Sequence, residues 1–125
     1  PLFDEYIKQF NSFISSIRPG GVLIFNEEDE LLKELVEKNS NLIKKIPYKI
    51  PSFFVDDGTT YLETPEGEIP LSIFGNHNLS NLSGAQWISQ MMGVNSSDFY
   101  EAIPTFRGAS KSNKKNFILI FILFI

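Results

Sequence analysis

The side chains best suited to chemistry crowd into "IFGNHNLSN" at 73–81. There the single histidine, His77, sits between Asn76 and Asn78, and Asn81 follows three residues later. A planar primary amide carries one acceptor and two donors. Asn78 and Asn81 can therefore meet the N6 donor and N7 acceptor of adenine in the bidentate manner by which asparagine reads that base in DNA, with no charge involved. If Gly75 ends a strand and a helix starts near Asn78, then His77, Asn78 and Asn81 lie at the strand's carboxyl end and in the first helical turn. Ligands collect at that place in open α/β sheets. The same residues also have a purely structural reading, with Asn78 as an N-cap, Asn81 as a solvated first-turn residue and His77 as a hydrogen-bonded packing residue. Residue chemistry alone leaves both readings open.

Other clusters favour structure over chemistry. Asp56 and Asp57 stand beside Gly58, where short acidic side chains form turns. Glu27, Glu28, Asp29 and Glu30 suit the first turn of a helix, whose exposed amides and dipole attract carboxylates. Met91 and Met92 read as packing residues. With one histidine and no cysteine, neither a transition-metal site nor a disulfide framework is expected, and a reducing cytoplasm suits the chain. A net charge of −4 and a pI near 4.9 argue against a binder of nucleic-acid backbones, which carries a basic face. At 125 residues and 42% hydrophobic, one domain with a real core is expected. No secretory signal opens the chain, and its start at Pro1 suggests a fragment or a processed product.

Those side chains must be positioned by a mixture of helices and strands. Phe3, Tyr6, Ile7, Phe10, Phe13, Ile14 and Ile17 recur at helical spacing and predict an amphipathic helix that "RPGG" at 18–21 ends. The apolar run "GVLIF" at 21–25 predicts a strand covered on both faces. Asn26 and "EEDE" then open a second helix with Leu31, Leu32, Leu35 and Val36 inward. Beyond "KNSN" the period changes to two. "TTYLET" and "EIPLSIF" flank "PEG" as a hairpin with Gly67 in its turn, and "DDG" at 56–58 forms another turn. A third helix is expected from about Leu79 to Met92, with Leu82, Ala85, Ile88 and Met92 inward and Gly93 ending it. "NSSDFYEAI" predicts a short fourth helix capped by Ser96 or Ser97, with Asp98 and Glu101 in its first turn.

The tail differs from all of this. After the cationic "KSNKKN", nine apolar residues at 117–125 make up about half of what a membrane-spanning helix needs. They suit a non-native ending, a buried or aggregation-prone strand, or a membrane-associated end, and no membrane span.

Taken in order, the motifs resemble the central ATP-binding domain of Mur ligases. "GNHNLSNLSGA" is similar to that family's G-x-H-N-x-x-N-x-x-(A/G)-A signature, and "FRGASK" at 106–111 to the F-x-G-x-x-x segment leaving the domain. "PGGVLIFNEEDELLKELVEKN" and "YLETPEGEIPLSIFG" resemble the strand–helix unit and the hairpin that precede the signature. The likeness covers about residues 1–111 and looks closest to the UDP-N-acetylmuramate:L-alanine ligases and the murein-tripeptide ligase. It implies an α/β fold, part of a three-layer nucleotide-binding domain with a mostly parallel sheet plus an antiparallel hairpin. It implies that Asn78 and Asn81 are adenine contacts, that His77 shapes the same side of the ATP site, and that Lys111 lies on the phosphate side. The implied chemistry is ATP- and magnesium-dependent amide formation in cytoplasmic peptidoglycan synthesis or recycling. Its partners would be a UDP-N-acetylmuramate-type substrate and an amino acid or peptide.

The resemblance also has gaps. No G-x-x-x-x-G-K-(S/T) phosphate loop occurs in the sequence. The family's magnesium-binding positions would precede Pro1, and its substrate-binding domains would flank the segment. Where the family places a phosphate-facing arginine after F-x-G-x-x-x, this chain has Ser112. The expected role is therefore a fragment contributing the adenine-side wall of a ligase, inactive by itself. The alternatives are an inactive remnant that binds adenine nucleotide weakly or not at all, and a fragment of a folate-polyglutamate type ligase. Composition further predicts that deleting residues 112–125 raises solubility, since an uncharged run of branched and aromatic residues favours β-aggregation. Sedimentation of the two forms checks this, and greater aggregation of the shortened form would show that the tail packs into the fold.

Overall fold

A computed structural model describes residues 2–106 and 121–123. They form an α/β protein divided into two compact units, Pro1–Tyr48 with Leu119–Ile125 and Lys49–Ile118. The first unit contains α1 (Leu2–Ser16), β1 (Val22–Asn26), α2 (Glu30–Lys38), β2 (Lys44–Tyr48) and β6 (Phe121–Leu123). The second contains β3 (Phe53–Asp56), β4 (Thr59–Thr64), β5 (Gly67–Leu71), α3 (Asn76–Met91), α4 (Ser96–Ala102) and a closing 3-10 turn at Ile103–Thr105.

In the first unit β1 is the central strand, parallel to β2 from Val22 opposite Lys44 to Asn26 opposite Tyr48. On its other edge it runs antiparallel to β6, with Val22 opposite Leu123 and Ile24 opposite Phe121. Val22, Leu23, Ile24 and Phe25 are all buried, as the unbroken apolar run predicted. A parallel pair needs a long crossover. That crossover contains α2, which buries Leu32, Leu35 and Val36. Asp29 caps α2 by accepting from the Leu32 amide at 3.0 Å, while Asn26 turns the chain by accepting from the Glu28 amide at 3.0 Å. The acidic run at 27–30 therefore opens a helix.

The expected first helix forms, but its apolar face is only partly covered. Ile14 and Ile17 are buried, whereas Phe3, Tyr6 and Phe13 are exposed. The buried end is the one held by hydrogen bonds. Asn41 Nδ2 donates to the carbonyls of Ile14 at 2.9 Å and Ile17 at 2.8 Å, with a longer 3.4 Å approach to Ser15. It thereby satisfies acceptors that a helix end leaves without intrahelical donors. Asn39 Nδ2 adds a 3.1 Å bond to Ser15 Oγ, and Lys45 Nζ reaches the Asn39 carbonyl at 2.5 Å.

Strand β2 was not singled out in the sequence, where Pro47 and two lysines disguise it. It alternates, with Ile46 and Tyr48 buried. It also lies at a sheet edge, where proline is tolerated.

The second unit is an antiparallel meander in the order β3-β4-β5 followed by helices. Asp57 and Gly58 both have positive φ, 48° and 77°. They make the two-residue connection between the paired Asp56 and Thr59, the geometry that favours Asp-Gly. The second hairpin lies where "PEG" predicted it, with Thr64 opposite Gly67 and the Thr64 hydroxyl donating to the Gly67 carbonyl at 2.7 Å. Leu62, Leu71, Ile73, Leu79, Leu82 and Ile103 form this unit's core.

Two details differ from expectation. Asn95, rather than Ser96 or Ser97, caps α4 by accepting from the Asp98 amide at 2.8 Å, and Ser97 instead donates to Glu66 at 2.7 Å. Met92 is 69% exposed rather than inward, because α3 has already ended at Met91.

Removing the Asn41 amide by Asn41→Ala is expected to cost about 1–3 kcal/mol, the penalty for leaving partly buried acceptors unpaired. Urea denaturation followed by circular dichroism checks it. A second expectation concerns Tyr48, 2% exposed, whose hydroxyl burial pushes up from 10.0 to about 12. The folded state keeps its proton where the unfolded chain loses it. Stability should therefore be level below pH 10 and fall as pH rises towards about 12, by on the order of 2 kcal/mol. Denaturation midpoints between pH 8 and 12, compared with Tyr48→Phe, give the measurement.

Candidate functional site

The polar cluster is positioned by the segment between β5 and α3. Leu71 ends β5, Ile73 is buried in the core, and the chain turns at Gly75, whose φ of 90° and ψ of 148° belong to a region essentially open only to glycine. A Cβ there would meet no atom within 4 Å, so the requirement for glycine is conformational rather than steric. The helix then begins earlier than expected. Its first residue is Asn76, and the Leu79 amide donates to the Gly75 carbonyl at 3.1 Å.

This changes the role of each candidate. Asn78 is the third residue of the helix, so it is not an N-cap. Its Nδ2 donates back to the Phe74 carbonyl at 3.0 Å, which ties the first turn to the connection. His77 is exposed and so is not a buried packing residue. Asn81 is half-buried, and its amide makes no hydrogen bond among the described residues. At about 100° per residue, His77, Asn81 and Asn78 fall within an arc of about 100°, while Leu79, Ser80 and Leu82 turn into the protein. The helix thus gathers the three predicted side chains on one open face.

The reason offered by sequence for a ligand there needs correction. β5 is an edge strand of an antiparallel meander, so the tendency of ligands to collect at strand ends of open parallel sheets does not apply to it. What remains is the helix start itself, with its amide-rich face and the dipole's positive end.

Elsewhere, Asp56 and Asp57 occupy a hairpin turn. No group of three or more His, Asp or Glu side chains that could hold a metal ion occurs among the described residues. Lys111 and Ser112 lie outside the described residues. Sequence reasoning missed a groove on another face of α3, lined by Ser83, Gln86, Trp87 and Gln90. The signal was present in their i, i+3, i+4, i+7 spacing around the single tryptophan.

An α/β chain with a parallel strand pair crossed over by a helix and a separate antiparallel hairpin is consistent with part of a nucleotide-binding domain. The particular likeness is to Mur ligases. The chain is 26% identical over 121 residues to a UDP-N-acetylmuramoylalanine--D-glutamate ligase of Pelodictyon phaeoclathratiforme, covering 80% of this chain and 25% of that enzyme. It is 27% identical over 124 residues to a UDP-N-acetylmuramate--L-alanine ligase of Caldicellulosiruptor bescii, covering 90% of this chain and 27% of that enzyme. The likeness to Mur ligases read from the motifs is therefore borne out, and the chain is similar to a segment of these enzymes. It spans about a quarter of the length of these relatives, which belong to different branches at nearly equal identity. No family model and no solved structure matches the chain.

Because Gly75 carries the turn alone, Gly75→Ala is expected to cost about 1–3 kcal/mol of stability through backbone strain. Thermal denaturation of the variant measures it, and an unchanged midpoint would mean that the turn tolerates a side chain.

Proposed function

We propose that this chain supplies the adenine-side wall of the ATP site in an ATP-dependent ligase that forms amide bonds in cytoplasmic peptidoglycan synthesis or recycling. Residues 1–111 would be the C-terminal part of the central ATP-binding domain, followed by an atypical tail at 112–125. In this reading Asn78 and Asn81 contact the base, His77 shapes the same wall, and Lys111 stands on the phosphate side. The reading is carried chiefly by one observation. His77, Asn78 and Asn81 share an open face at the start of α3, within a chain similar to Mur ligases, and Asn81 keeps an uncommitted amide among the described residues.

The wall reads the base by neutral hydrogen bonds. An amide that accepts from N6 and donates to N7 of adenine meets a mismatched acceptor at O6 of guanine, and this favours ATP over GTP. Activation of a carboxylate as an acyl phosphate needs cations and donors around the transferred phosphoryl group. The described residues provide no such set, so ATP, magnesium, a UDP-N-acetylmuramate-type substrate and an amino acid or peptide would meet in the whole enzyme.

In a full-length ligase rebuilt around this segment, the expected outcome for Asn81→Ala is a loss of about 1–3 kcal/mol in ATP binding, the scale of one bidentate base contact. The preference for ATP over GTP should narrow. Nucleotide titration and thermal denaturation, run together on Asn78→Ala and Asn81→Ala, separate binding from helix stability. Unchanged affinity and unchanged base preference at Asn81 would show that the amides serve only the helix. The chain by itself is also expected to release no phosphate from ATP with magnesium and substrate, and turnover above a protein-free control would overturn the fragment reading.

A further inference from the structure

Hydrogen bonding between antiparallel strands alternates, so the register of the meander fixes which backbone groups of β3 point away from β4. The Glu63 amide donates to the Ser52 carbonyl at 3.0 Å, one step beyond Phe53 opposite Leu62. By alternation Phe54 and Asp56 also bond to β4, and the N–H and C=O of Phe53 and Val55 point outward. No other hydrogen bond uses those four groups among the described residues.

β3 lies at a sheet edge without the devices that protect other edges. β2 has Lys44, Lys45 and Pro47, and β5 has Pro70, residues that discourage an incoming strand. β3 reads "FFVD", with neither lysine nor proline. Val55 is 60% exposed, although it shares a strand face with Phe53, which packs on the core. On the opposite face Phe54 stacks on Tyr61, with ring centroids 5.1 Å apart and planes 12° from parallel.

The edge is complementary to itself. In an antiparallel pair of β3 strands with the two-fold axis at Phe54, Phe53 of each copy lies opposite Val55 of the other, and all the outward groups bond. An axis at Phe53 would set Val55 opposite Pro51, which has no N–H to donate. An axis at Val55 would set Phe53 opposite Asp57, which has left the strand at a φ of 48°. Charge agrees with the Phe54 axis. Ser52 falls opposite Asp56 of the other copy, Lys49 lies beside that copy's acidic turn, and no like charges stand directly opposite. The Phe54 rings meet at the axis and continue the stack on Tyr61 across both copies.

We propose that β3 pairs antiparallel with β3 of a second copy of this chain, joining the two meanders into one six-stranded sheet centred on Phe54. No part of this depends on the adenine reading.

The chain contains no cysteine, so a single introduced thiol reports the axis. Phe54→Cys should be cross-linked to a dimer by oxidised glutathione about tenfold or more faster than Glu68→Cys on β5, because Cα atoms of a non-hydrogen-bonded pair lie about 4.5 Å apart, within disulfide reach. Sedimentation velocity of the full chain over a concentration series should show a monomer–dimer equilibrium. Val55→Pro removes one outward donor per copy and leaves the bonds to β4 intact, and should weaken the dimer by about tenfold or more. Val55→Lys, which keeps the donor and sets a charge at the seam, serves as the second variant, and circular dichroism melts show which variants remain folded. Three outcomes would overturn the proposal. A chain monomeric at every concentration would mean that the edge is left for a strand of another protein. Self-association unchanged by both Val55 variants would place it elsewhere, the apolar run at 117–125 included. Equal cross-linking of Phe54→Cys and Glu68→Cys would show that no axis lies at Phe54.

Discussion

Every helix end leaves backbone groups that the helix itself cannot pair, and the arrangement of this protein follows from how those groups are satisfied. Asp29 closes the start of α2 and Asn95 the start of α4, each by accepting from an amide three residues on. Asn41 closes the end of α1 from the far side of α2 in sequence, so the cap also joins the helix to the approach to β2. The start of α3 is arranged differently from those of α2 and α4. It is entered through Gly75 with no side-chain cap, and in its first turn Asn78 bonds back to the Phe74 carbonyl while His77 is exposed. A position that breaks the local rule obeyed by its neighbours is where function is expected.

Much of the scaffold could be read directly from residue order. The unbroken "VLIF" meant burial on both faces, the acidic run meant a helix start, and Asp-Gly meant a two-residue turn, because each signal reflects local backbone physics. Signals that depend on distant partners were silent. Lys44–Tyr48 is a strand because β1 lies beside it, and nothing within its own residues outweighs Pro47. The aromatic stripe of α1 was read correctly as a stripe, yet periodicity cannot say what covers it, and Phe3, Tyr6 and Phe13 remain exposed. At the candidate site the residue types were recognisable, while the helix start was displaced because Gly75 ends one element and begins the next without a capping side chain. That displacement turned Asn78 from a cap into a side chain bonded back to the Phe74 carbonyl.

The two polar faces of α3 show how context divides similar residues. Asn81 keeps its side-chain amide unpaired among the described residues, whereas Gln86 and Gln90 each give one of their two amide donors to a hydroxyl of α4. The same functional group is thus left wholly free in one place and partly committed in the other.

The pairing of β6 with β1 carries a consequence for the order of assembly. β1 and β2 meet after a crossover of about twenty residues, but Phe121 lies opposite Ile24 across about a hundred residues of chain. The closure entropy of a loop grows only slowly with its length, yet contacts of such separation must wait until it has been overcome. α1, β1, α2 and β2 can therefore condense first, during synthesis or refolding, with one edge of β1 still open. β6 then closes that edge, and until it does the buried run Val22–Phe25 keeps one row of backbone groups unpaired.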